Sequence, residues 1–233
     1  ESALGAAVDD LDNIYVSGYT GSTNMPVSTG AFQIANAGGN DLFVFKLNPD
    51  GDELIYSTYI GGSGSEMGYT VAVDAAYNAY MIGYTPSTNF PVTTGAFQTT
   101  NAGGTNDLVV FKINPTGTAL VYSTYIGGSL DDNAYGIDVT PDGFCAVAGK
   151  TNSTNFPVTA GAYQTTYAGG TYDGILVKLN QTGTGLVFST YIGGTLDDWG
   201  MRTKIDATGN VYTCGYTGSL NFPVTAGSFQ TTY

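Results

Sequence analysis

The side chains of this chain best able to do chemistry are its carboxylates, and they have no histidine to work with. The sequence contains none, which removes Ser-His-Asp and Cys-His nucleophile activation together with the commonest proton shuttle near neutral pH. Paired carboxylates remain at Asp131-Asp132 and Asp197-Asp198, and two carboxyl groups suffice in principle to hydrolyse a glycoside. Both pairs fall at one repeat position, shared with Glu66, whereas catalytic groups converge from different positions. They read as solvated loop carboxylates. Clustered arginines that would grip a substrate carboxylate are missing, since Arg202 stands alone. The expectation is a protein that is not an enzyme.

A hard cation is the other chemistry these residues offer. Asp9, Asp10 and Asp12 crowd one turn, and Asp50, Asp52 and Glu53 another. Carboxylates and turn carbonyls together could supply the 6 to 8 oxygens that calcium takes. Neither cluster matches an EF-hand loop. Copies of the second carry Thr116-Gly117-Thr118 and Thr182-Gly183-Thr184 instead, so no ion common to all copies is expected there, and calcium is the one cofactor considered. Lys46, Lys112 and Lys178 recur every 66 residues in apolar surroundings. Each must snorkel to an edge or meet a carboxylate. Asp41, Asp107 and Asp173, five residues upstream, are the expected partners, in a structural tie rather than a catalytic site.

These recurrences belong to a larger one. Tyr59-Ile60-Gly61-Gly62 returns at Tyr125-Ile126-Gly127-Gly128 and Tyr191-Ile192-Gly193-Gly194, and Pro26 returns at Pro91, Pro157 and Pro223 with spacings of 65, 66 and 66. The chain is one unit repeated. Copies run 1–65, 66–131, 132–197 and 198–233, the last about half a unit. Within 66–131 the pattern predicts strands at Tyr69 to Asp74, Ala79 to Thr85, Leu108 to Ile113 and Ala119 to Ile126, joined by Asp/Asn/Gly turns and one long segment, Pro86 to Asn106. The third strand is apolar at successive positions, so both of its faces should be buried. Phe43, Phe45, Val109, Phe111, Leu176 and Val177 are the expected core. Tandem four-stranded antiparallel sheets with two buried faces and no helical period are best satisfied by an all-β propeller of stacked blades. Gly61-Gly62 and its copies then mark the crossing from blade to blade.

The phrases Val73-Asp74…Asn78-Ala79-Tyr80…Gly83-Tyr84-Thr85, Asn89-Phe90-Pro91-Val92-Thr93, Phe97-Gln98 and Tyr122-Ser123-Thr124-Tyr125-Ile126-Gly127-Gly128 resemble the bacterial seven-bladed β-propeller repeat family of SBBP type. Every copy can be aligned to it, with departures at Met25, Thr140 and Gln181 that read as drift at turns. The resemblance implies a secreted or cell-surface propeller without an established catalytic activity.

Composition narrows the partners. A formal charge of −13, from six basic and nineteen acidic residues, repels phosphate backbones and anionic lipid, so nucleic acid is not an expected ligand. No apolar run approaches the ~20 residues of a membrane helix, and no membrane insertion is expected. The cysteines, Cys145 and Cys214, are displaced by three residues on corresponding strands, about 10 Å apart along the strand direction, so two buried thiols are expected rather than a disulfide. The expected role is an extracellular or cell-surface scaffold, adhesive or self-assembling. The alternative is a module that binds glycan or peptide through its Tyr- and Asn-rich long loops. Its expected partners are further copies of itself or of a longer repeat chain, and surface glycans. The strand segment Lys204 to Thr217 is expected to need a pairing strand, from later residues or from another subunit.

Overall fold

The computed structural model describes residues 1–233 as fourteen strands and no helix. Strands β1 (Ser2–Val8), β2 (Ile14–Thr20), β3 (Asp41–Leu47) and β4 (Leu54–Ile60) form one antiparallel sheet in chain order. The second sheet contains β5 (Met67–Val73), β6 (Ala79–Thr85), β7 (Asp107–Ile113) and β8 (Leu120–Ile126). In the third, β9 (Asp132–Val139), β10 (Cys145–Thr151), β11 (Asp173–Leu179) and β12 (Leu186–Ile192) repeat the order, and β13 (Asp198–Ile205) with β14 (Val211–Thr217) begins a fourth. The first strands β1, β5, β9 and β13 pack on one another at the inner edge, and the sheets stack as blades without closing a ring.

The first strand of the second copy, expected over Tyr69 to Asp74, begins two residues earlier at Met67 and ends one residue sooner at Val73, because Asp74 leaves the ladder to cap the β5–β6 turn. Its Oδ1 accepts the N–H groups of Ala76 and Asn78. The second, third and fourth strands fall where the apolar pattern places them.

Successive apolar residues on β7 point to different neighbours. Val109, Phe111 and Ile113 join Tyr15, Leu42, Val44, Tyr56 and Ile60 of the first sheet in one core. Leu108 and Val110 join Ala134, Val147, Ile175 and Val177 of the third in another. A strand clamped between two sheets has no solvent face, and all seven residues of β7 are buried. Phe45 departs from expectation and is half-buried. It stacks on Phe43 with ring centroids 5.9 Å apart, on the face of the first sheet that carries no neighbouring sheet.

Each inner strand carries a bulge, and the strand beside it supplies the glycine the bulge needs. Register breaks at Ala3/Gly5, Gly68/Val71 and Gly200/Arg202, and opposite Ala148/Gly149. Gly18, Gly83, Gly149 and Gly215 lie there, where an added Cβ would sit 1.8 to 2.4 Å from a main-chain oxygen of the bulged strand. The bulge brings the backbones closer than any side chain permits.

Cys145 is buried and Cys214 exposed, both as free thiols. The expectation of two buried thiols fails at Cys214, because β14 has β13 on one side and no strand on the other.

Candidate functional site

The recurring phrases converge on the crossings between blades. Tyr59, Tyr125 and Tyr191 each use the phenol twice: the hydroxyl donates to the carbonyl of Ser22, Ser87 or Ser153 and accepts the N–H of Met25, Phe90 or Phe156. Each tyrosine thereby fastens the start of its own blade's long loop. The loop's later Gln33, Gln98 or Gln164 accepts, through Oε1, the N–H of Gly61, Gly127 or Gly193 at 3.0 Å. Pro91 and Pro157 present their carbonyls to Ser123 and Ser189 at 2.6 Å; Pro223 occupies the same repeat position in the fourth copy. Sequence reading missed the glutamines, although the recurring Phe-Gln step carries their signal.

The second glycine binds the next blade. Gly62, Gly128 and Gly194 donate their N–H groups to Glu66, Asp132 and Asp198. A Cβ on any of the three would stand 2.5 to 2.6 Å from a serine Cβ or a loop asparagine Oδ1. The carboxyls of Asp132 and Asp198 are buried, which overturns their reading as solvated. Their chain neighbours Asp131 and Asp197 do lie at the surface side, where each accepts two backbone N–H groups from the preceding long loop.

The lysines find partners other than those expected. Lys46 Nζ lies 3.2 Å from Asp9 and Lys112 Nζ 2.9 Å from Asp74, while Asp41 and Asp107 pair with neither. Five residues along a strand amount to about 16 Å, too far for a contact. Register instead sets Lys46 opposite Tyr15 and Lys112 opposite Tyr80, and those phenols donate to Asp9 and Asp74. Burial pushes the Asp9 carboxyl up, but bonds from Asn13, Lys46 and Tyr15 outweigh it and hold the group at about 2. Asp74 is lowered against burial in the same way, by Lys112, Asn78 and Tyr80.

In the third blade the set is lost together. Thr140, Phe144 and Ala146 stand where the second blade has Asp74, Asn78 and Tyr80. Lys178 therefore has no carboxylate and donates to the carbonyl of Gly209 at 3.0 Å. Thr140 is thus lost chemistry, not drift. Thr140→Asp should return a partner to Lys178 and raise the stability of the third blade by about 0.5–1 kcal/mol, the range of a partly exposed pair. Urea denaturation of the variant beside Thr140→Asn reads the charge separately from the shape.

The calcium candidates are not brought together. Asp9 is taken up by Asn13, Tyr15 and Lys46. Asp10 and Asp12 lie on the rim of the same turn, where Asp12 has φ 62°. Asp50, Asp52 and Glu53 lie exposed on the β3–β4 turn, ordered by Asn48, and nowhere do three acidic or thiol side chains converge. The long loops pack as ordered caps. Phe90 and Phe156 are buried, and Phe32 and Phe97 donate their N–H groups to Gly117 and Gly183 of the following blade, each at 2.9 Å. Tyr163, the counterpart of Phe97 in the third blade, is exposed.

The largest cleft, 630 Å³, lies between the inner strands, lined by Ala, Val and Thr with Asp138, Arg202, Lys204 and Tyr212. Lys204 is tied to Asp138 at 3.0 Å. No helix is long and apolar enough to cross a membrane.

No curated protein matches the chain. The family model described as beta-propeller repeat, SBBP, matches residues 55–91 and 121–157. Both windows run from a fourth strand through the double-glycine crossing to the proline of the next long loop. A chain so built is a structural or binding module. The chain is an all-β stack of antiparallel sheets that carries beta-propeller repeats of SBBP type at two of its blade crossings.

Proposed function

We propose that this chain is a non-enzymatic scaffold of the cell exterior or cell surface, in which identical crossings hold blades in a rigid stack for architecture, adhesion or assembly. The observation that carries the reading is where the repeated polar side chains are spent. Tyr59, Tyr125 and Tyr191, the three loop glutamines, and Glu66, Asp132 and Asp198 all bond within the fold. Repetition used wholly for internal cohesion is what a scaffold requires. Its proposed partners are further repeat copies seated against β14, whose outer edge is unpaired and whose residues are largely exposed. Those copies belong either to the same polypeptide or to another chain.

Light scattering at low concentration tests the scaffold on this 233-residue chain. Concentration-dependent association is expected, with amide exchange across Val211 to Gly215 slowing as assemblies form. A stable monomer with slow exchange across that segment contradicts it. The inner cleft favours a second reading, a ligand module in which Arg202, Lys204 and Tyr212 hold an acidic glycan or peptide. Reproducible micromolar binding of one such class on a glycan or peptide array, abolished by Arg202→Ala, would select that reading over the scaffold.

A further inference from the structure

At every blade crossing two buried carboxyls face each other across the first glycine. A methyl added to Gly127 would lie 2.8 Å from Asp107 Oδ1 and 2.8 Å from Asp132 Oδ2. At Gly193 the corresponding distances are 2.9 Å to Asp173 and 2.9 Å to Asp198, and at Gly61 2.5 Å to Asp41 and 2.7 Å to Glu66. None of the six groups is more than 1% exposed.

The two members of a pair are held differently. Glu66 and Asp132 each accept two side-chain hydroxyls and one backbone N–H; Asp198 accepts the Gly194 N–H and the Ser219 hydroxyl. Asp41, Asp107 and Asp173 use only Oδ2, which accepts the N–H of Ala37, Ala102 or Ala168 and, at Asp41 and Asp173, also the side-chain amide of Gln33 or Gln164. Their Oδ1 atoms are buried without a hydrogen-bond partner, as is the Oδ1 of Asp198 at the third crossing.

No basic side chain reaches a pair. Lys46, Lys112 and Lys204 are bound to Asp9, Asp74 and Asp138, and Lys178 and Arg202 donate to backbone carbonyls. Lys150 sits over the rings of Tyr172 and Trp199, its Nζ 3.8 and 3.3 Å from the centroids. The other titratable groups that face the pairs are phenols and carboxylates: Tyr125, Tyr191 and Asp131 at the second crossing, Tyr167 and Tyr191 at the third, and Tyr125 again beside Glu66 at the first. Two ionised carboxylates at such a place would be buried, adjacent and uncompensated.

We propose that each crossing holds one proton between its two carboxyls, carried on the orphan oxygen of Asp41, Asp107 or Asp173, so that the blade stack tightens in mild acid and loosens as the pH rises past neutrality. The electrostatics agree. Burial drives Asp41 and Asp173 to about 6 and Asp107 to about 7, against bonds from backbone N–H groups and with the facing carboxylate adding to the rise. Asp132 is itself pushed up by burial to about 6, so the Asp107–Asp132 pair titrates as a unit. The native state binds protons that the unfolded chain releases near 3.8. The stabilisation is therefore complete below about pH 4 and is lost as pH rises through 6 to 7. Above about pH 8 Lys150, whose ammonium burial holds down to about 8, works in the opposite direction.

Urea midpoints of the intact chain measured from about pH 5 to pH 8 at fixed ionic strength test the proposal. The wild-type midpoint should fall across that window, and folding at about pH 6 should take up protons from an indicator dye. Asp107→Asn, which keeps the shape and removes one titration, should flatten the fall by about a third and surpass wild type at the alkaline end. If that variant fails to fold, Asp41→Asn at the first crossing gives the same reading. A protonated-carboxyl stretch in the infrared spectrum of the folded protein at acid pH, lost at alkaline pH, supports the assignment directly. A midpoint that is flat or rises with pH overturns it. So does restoration of the alkaline midpoint by millimolar calcium that Asp107→Asn abolishes, because the counter-charge is then a cation.

Discussion

Phe111→Ala should cost about 3–5 kcal/mol, the usual loss when a buried aromatic is cut to a methyl and the cavity only partly closes. Phe111 has no exposed surface. It lies on β7 with its ring toward the first sheet, near Phe90 at a centroid distance of 6.3 Å. Collapse around the vacancy is hindered on both sides, because β7 is held by β6 and β8 and both of its faces are packed. In a stack of repeats the loss falls on one blade and on its interface with the neighbour. Urea unfolding should therefore show an earlier midpoint and, where the first blade uncouples from the rest, a smaller slope. A change below about 1 kcal/mol would mean that water already reaches one face of β7.

Gly149→Ala is expected to be comparably damaging for a different reason. The added methyl would sit 2.0 Å from the carbonyl oxygen of Asn133 and 3.0 Å from the Ala134 Cα. Both belong to the backbone of β9, which no rotamer change can move. Forcing the strands apart would break the β9–β10 ladder at its bulge and cost about 3 kcal/mol, the upper end of ordinary overpacking. Gly95→Ala is the comparison. That residue has φ +80° and nothing within 4 Å of an added Cβ, so it should lose only the 1–2 kcal/mol of a left-handed backbone conformation. Thermal or urea midpoints of the two variants separate a collision from a dihedral cost, and near-equal losses would show that β9 yields.

Repeat phase, strand type and the double burial of the third strand were all legible in the sequence, because each rests on short-range order. Leu108-Val109-Val110-Phe111 is apolar at four successive positions, and a strand alternates its faces residue by residue. Both faces must then meet apolar neighbours, whatever those neighbours are. The turn chemistry at Asp74 to Asn78 is equally local, since an Asx carboxylate bonds backbone two and four residues on. Gly61, Gly127 and Gly193 announced the crossings by recurrence alone.

Which charges meet was decided by the tertiary structure. Lys112 lies five residues from Asp107 in the chain, but along an extended strand that is about 16 Å. Its carboxylate is Asp74, two strands away in the sheet and 38 residues earlier in the sequence. The acid pairs follow the same rule. Asp107 begins β7 and Asp132 begins β9 in the next sheet, and only the return of the chain through Gly127 sets them face to face. Sequence spacing records distance along one strand. Burial and charge pairing depend on what lies across the sheet and on the blade beyond it, and so an acid that reads as a loop carboxylate comes to lie in a dry core between blades.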